Sequence, residues 1–105
     1  MKNSRLVLLA ALAAFTLPAV AQNSGAATYN AKCLMCHAAD GSGSTPAGKA
    51  MKAPSFLAPD AVKEPTASLI AITTTGKGKM PAYSGKLTDA QIKDVVAYVR
   101  TLQKK

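Results

Sequence analysis

Both cysteines and the single histidine of this 105-residue chain stand together as Cys33-Leu34-Met35-Cys36-His37. No other stretch restricts the fold so strongly, because two thiols three residues apart share one helical turn and the imidazole follows directly. Such a turn can close a disulfide, cycle as a redox dithiol, or anchor a haem through two thioethers while the histidine binds its iron.

The N-terminus bears on that choice. Lys2 and Arg5 precede a largely apolar run over 6–17, and Pro18 leads into Ala19-Val20-Ala21, a small-x-small site. This is the pattern of a secretory signal peptide, and the run falls short of the ~20 residues a membrane-spanning helix needs. Residues 1–21 are expected to be removed as a signal peptide. One domain over 22–105 then works in a periplasmic or equivalent exocytoplasmic space.

That domain is basic and poor in core formers. It has 11 Lys and Arg against 5 Asp and Glu, and Leu, Ile, Val and Phe supply 13 of its 84 residues. That share lies below the ~20% at which a chain is suspect as an unaided folder. Domains of this size usually complete their cores with a disulfide, a metal or a cofactor.

Three helices and two long loops are legible, without an alternating strand pattern, so the expected fold class is all-α. Ser24 can cap a helix over 25–36. A second is expected from Pro65 and Thr66 to Gly76, a residue suited to a left-handed cap. The third opens on Thr88-Asp89-Ala90-Gln91, a capping box, and places Ile92, Val95, Val96, Val99 and Leu102 at three- and four-residue steps. Residues 40–59 read as an irregular loop wrapping something, and 76–85 as a loop carrying Met80-Pro81.

A thioredoxin-like dithiol needs a βαβ setting that this chain lacks. A plain disulfide accounts neither for His37 nor for the thin core. Covalent haem attachment accounts for both and agrees with export.

With those residues in view, the sequence resembles the small single-haem class I cytochromes c, the bacterial and photosynthetic electron carriers. The resemblance covers nearly all of 25–103. It rests on Cys33-Leu34-Met35-Cys36-His37, on Gly76-Lys77-Gly78-Lys79-Met80-Pro81-Ala82-Tyr83, and on the helix over 87–102, in that order. It implies a class I cytochrome c fold with about three main helices and long loops around one covalent haem c. Cys33 and Cys36 are the implied thioether residues, and His37 and Met80 the implied iron ligands.

Met35 lies between the anchoring cysteines with no route to the distal face. Met51, in the first loop, is the alternative ligand or a core filler, and an open sixth site is the remaining alternative. The resemblance also pairs the imidazole N–H with a proline carbonyl, for which Pro46 is the candidate. Gly25, Tyr29 and Tyr98 match the packing between the first and last helices.

The implied function is single-electron transfer rather than catalysis, by a soluble monomer without stable membrane insertion. The alternative is a peroxidase-like catalyst or small-ligand sensor with a labile methionine, against which the chain offers no distal His or Arg. Lys32, Lys77, Lys79 and Lys86 gather around the haem motif and the Met80 loop. They read as a solvated surface or as a positive rim steering acidic redox partners. A nucleic-acid partner is not expected, since no basic helix or aromatic stacking platform accompanies them.

Overall fold

The last helix of this molecule, α6 (Asp89–Leu102), is specified at its start by reciprocal capping. In the computed structural model, which describes the backbone of residues 17–104 and the side chains of 24–104, Thr88 Oγ1 accepts from the Gln91 amide at 3.1 Å. Gln91 Oε1 accepts from the Thr88 amide at 2.8 Å. Two of the N–H groups that a helix start leaves without partners are thereby satisfied. The residues spaced for one face, Ile92, Val95, Val96, Val99 and Leu102, are all buried.

The first helix, α1 (Leu17–Lys32), packs along α6. They come close at Gly25, where an added Cβ would collide with the carbonyl oxygen of Asp94 and meet the Tyr98 Cβ at 3.0 Å. Glycine there lets the two backbones approach and brings Tyr29 into the core. Tyr29 is 0% exposed, its ring lies 5.2 Å from that of Tyr98 at an angle of 55°, and its hydroxyl donates to the carbonyl oxygen of Ala38 at 2.6 Å. The matches of Gly25, Tyr29 and Tyr98 to the helix crossing are therefore seen in the structure. Burial raises the Tyr29 pKa well above its ordinary value, so it acts as a neutral donor.

The helix expected over 25–36 is longer and is broken near its end. It begins at Leu17 and stops at Lys32, Cys33 is a turn residue, and α2 (Leu34–His37) follows. Ser24 thus lies inside a helix instead of capping it. The expected signal peptide falls outside the described residues except for the backbone of 17–21.

The stretch read as a loop over 40–59 also contains order. Thr45 caps α3 (Pro46–Met51) by accepting from the Gly48 amide at 2.9 Å, with Pro46 in the first turn. Pro59 opens α4 (Pro59–Lys63). Proline suits a first turn because its missing N–H would have no helical partner there.

The second expected helix is α5 (Thr66–Thr75), closed by Gly76. Gly76 has φ 81° but ψ 169°, a conformation almost confined to glycine and different from the left-handed cap expected. Arg100 of α6 binds both neighbours. Its Nε donates to Thr66 Oγ1 at 3.1 Å, Nη1 to the Val62 carbonyl at 3.4 Å, and Nη2 to the Glu64 carbonyl.

The fold is all-α, with α1, α5 and α6 as its three main helices. Among the described residues, β-structure is limited to the isolated bridges Lys77–Met80 and Ser84–Leu87. No helix among them is long and apolar enough to cross a membrane.

Replacing Tyr29 with Phe keeps the ring but leaves the Ala38 carbonyl without its donor. The expected loss is about 1–3 kcal/mol, the cost of an unsatisfied buried polar group. Denaturant unfolding of the wild type and Tyr29→Phe checks it.

Candidate haem site

Cys33, Cys36 and His37 are held by successive turns of backbone. The Cys33 amide donates to the Tyr29 carbonyl at 2.8 Å, and the amides of Cys36 and His37 donate to the Cys33 carbonyl at 3.2 and 2.9 Å. Ala38, at φ 70°, ends the turn, and its carbonyl is the acceptor held by Tyr29. The core between α1 and α6 thus grips the residue next to His37.

From the other side, Thr45 Oγ1 donates to the Met35 carbonyl at 2.5 Å while capping α3. Gly43 N–H donates to the His37 carbonyl at 2.9 Å. One hydroxyl therefore fastens α3 to the thiol-bearing turn.

Both cysteines are free and half-buried. Burial, and secondarily the neighbouring Cys36, push the Cys33 thiol up to about 11. It is a neutral thiol at ordinary pH, unlike the low-pKa thiolate of a redox-active C-x-x-C pair.

His37 is 8% exposed and stacks on Phe56, with ring centroids 4.4 Å apart and planes 18° from parallel. Burial lowers its pKa below the ordinary histidine value, against an opposing effect of the Pro54 backbone carbonyl. Its Nδ1 is buried without a hydrogen-bond partner. Pro46, expected to supply the carbonyl, instead belongs to the first turn of α3. The loop folds back after Met51 and brings Pro54 and Phe56 to the imidazole. Sequence reading missed both, although Phe56 is the only Phe within 22–105.

The second side of the site is the loop after α5. Lys77 and Met80 exchange backbone hydrogen bonds of 3.1 and 2.9 Å. A Cβ on Gly76 would lie 2.8 Å from both the Met80 carbonyl oxygen and the Ala82 nitrogen.

A cavity of about 570 Å³ joins the two sides, lined by Cys33, Cys36 and His37 and by Met80, Pro81 and Tyr83. Its size falls among pockets of about 300–1,000 Å³ that take cofactor-sized ligands. Met51, 47% exposed, also lines it; Met35, 74% exposed, does not. Two thiols, a histidine whose burial favours the neutral imidazole and a thioether line one cavity, and that set of donors fits a covalently attached haem.

Comparison with known proteins agrees. Residues 20–99 match the family model described as "Cytochrome C oxidase, cbb3-type, subunit III". Cytochrome c6 of Leptolyngbya boryana is 38% identical over 76 residues, 72% of this chain and 86% of that protein. Cytochrome c6 of Picosynechococcus sp. is 37% identical over 101 residues, 90% of this chain and 86% of that protein. The chain belongs to the class I cytochromes c. A further relative, the cbb3-type cytochrome c oxidase subunit CcoP of Azospirillum brasilense, is 34% identical over 86 residues, 80% of this chain but 29% of that protein. As a member of the family, this cytochrome carries covalently attached c-type haem and transfers single electrons.

The Met80 loop depends on Gly76 for both its positive φ and its closeness to Met80. Gly76→Ala should cost about 1–3 kcal/mol for the backbone conformation alone, with the close contacts adding to it. Unfolding by denaturant measures the loss, and faster amide exchange at Lys77 and Met80 locates it.

Proposed function

We propose that this cytochrome is an exported single-electron carrier whose haem is joined to Cys33 and Cys36 and held axially by His37 and Met80. The observation that carries the reading is that one cavity is lined by both thiols, by His37 and by Met80. The bound haem supplies the Fe(III)/Fe(II) couple, and a methionine ligand raises its potential.

Each residue has a distinct task. Cys33 and Cys36 supply the attachment sulfurs, and the buried neutral imidazole of His37 has a ring nitrogen ready to donate to iron. Met80 is favoured over Met51 by position. Met51 ends α3, which Thr45 fastens to the cysteine turn that bears His37. Met80 stands on the facing loop.

Export through cleavage after Ala21 is supported by the charged, apolar and small-residue succession at the N-terminus. It places the cysteines where c-type haem is attached.

The cavity's lining also supports a carrier over a haem catalyst. It includes no carboxylate and no second imidazole to serve an acid–base step on peroxide. Lys32, Lys52, Lys77 and Lys79 line it, and Lys86 lies with its Nζ 5.6 Å from the centroid of the Tyr83 ring. This positive rim suits brief contact with a redox protein presenting acidic groups.

In Met80→Ala, the weak ferric band at the red edge of the spectrum that reports Met–Fe bonding should disappear and high-spin iron should appear, with the haem still covalent after denaturation. Retention of the band would place the ligand elsewhere, first at Met51.

Charge-based steering acts over about a Debye length, ~10 Å at 0.1 M salt. Replacing Lys77, Lys79 and Lys86 with Gln should slow electron transfer to an acidic partner at low salt and converge on the wild type as salt rises. Equal rates at low ionic strength would return these lysines to a solvating role.

A further inference from the structure

The hydroxyl of Tyr83 donates to the carbonyl oxygen of Lys32 at 3.2 Å, joining segments 51 residues apart. Lys32 is the last residue of α1 and directly precedes Cys33, whereas Tyr83 follows Met80 by three residues. The bond therefore runs between the two sides of the haem cavity.

Its place among the loop's other bonds gives it significance. The Gly76 amide donates to Ile72, and the amides of Tyr83 and Ser84 donate to the carbonyls of Thr73 and Thr74. All these tie the loop to α5. Lys77 with Met80, and the amides of Lys86 and Leu87 on the Tyr83 carbonyl, close the loop on itself. Among the described residues, only the Tyr83 hydroxyl fastens the 76–87 loop by a hydrogen bond to the cysteine-bearing side.

The ring is placed to hold that bond. Tyr83 is half-buried, lines the cavity and has the Lys86 ammonium 5.6 Å from its centroid. An aromatic side chain carries a polar tip at little conformational cost, having two side-chain torsions. Here the rigid arm reaches from the Met80 loop to the end of α1.

We propose that Tyr83 is a positioning residue whose hydroxyl holds the Met80 loop against the haem-attachment turn and so governs how often Met80 leaves the iron. The inference rests on Met80 as the distal ligand. The bond lies at the rim, so its loss releases the loop's attachment across the cavity without opening the α1–α6 core.

Tyr83→Phe in the haem-loaded protein removes one oxygen atom and keeps the ring. The experiment is stopped-flow capture of imidazole by the ferric protein, taken to the plateau rate at saturating imidazole, where opening of Met80 limits the reaction. The Met–Fe band and the denaturant midpoint are measured on the same samples. Tyr83→Phe should keep the band at neutral pH and raise the plateau rate about fivefold, the equivalent of the ~1 kcal/mol that one neutral hydrogen bond contributes.

A plateau rate equal to the wild type's would overturn the proposal, even if the unfolding midpoint fell, because a merely structural hydroxyl would lower the midpoint alone. A wild type without the Met–Fe band would instead remove the ligand assignment and this proposal with it. A wild type with the band and an unresponsive Tyr83→Phe would remove this proposal only.

Discussion

The close approach of α1 to α6 at Gly25 is the constraint from which the site follows. With no side chain between the backbones, Tyr29 reaches the core beside Tyr98, and its hydroxyl reaches the Ala38 carbonyl. Ala38 ends the turn that presents His37. A helix crossing thus sets the position of an imidazole, using one fully buried aromatic as the intermediary. Polar satisfaction matters as much here as apolar area, because a buried carbonyl without a donor costs more than a typical hydrogen bond contributes.

The two sides of the haem cavity are secured differently. The cysteine-bearing side is bound by the α1–α6 core, by Thr45 and by Gly43, each acting on the backbone within a few residues of His37. The facing loop depends on a glycine-only bend at Gly76, on backbone bonds to α5, and across the cavity on the Tyr83 hydroxyl. Segments with few buried contacts and exposed hydrogen bonds open at lower free energy than core helices. The proposed thioethers would stand on the firmer side and the proposed exchangeable ligand on the softer one.

How much of this was legible depended on the range of the forces involved. The α6 start was readable because Thr88 and Gln91 satisfy each other within one turn, and its buried face because five apolar residues recur at helical spacing. The C-x-x-C-H run was readable because its chemistry is local. The short helix after Thr45 was hidden in a stretch dense in Gly, Ser and Pro: its cap residue also bonds to Met35, a tertiary contact that no local pattern announces. Pro54 and Phe56 were missed for the same reason. Choosing between Pro46 and Pro54 requires the path of the loop after α3, and that path is set by bonds such as Phe56 N–H to the Gly41 carbonyl at 2.8 Å.

Thin composition and a sizeable cavity are two aspects of one design. The described apolar core gathers on the α1–α6 side, around Tyr29, Val95, Val96, Val99 and Leu102, while Phe56, Leu69 and Ile70 pack at its margin. The cavity beside the cysteine turn has Ile72, Met80 and Tyr83 among its lining. A planar apolar group seated there adds to the core as well as to the chemistry, since burial of apolar surface stabilises in rough proportion to its area. A charge interacts more strongly with its surroundings in a medium of lower effective dielectric than in water, so a haem seated in this cavity would have its potential set in part by the residues that line it.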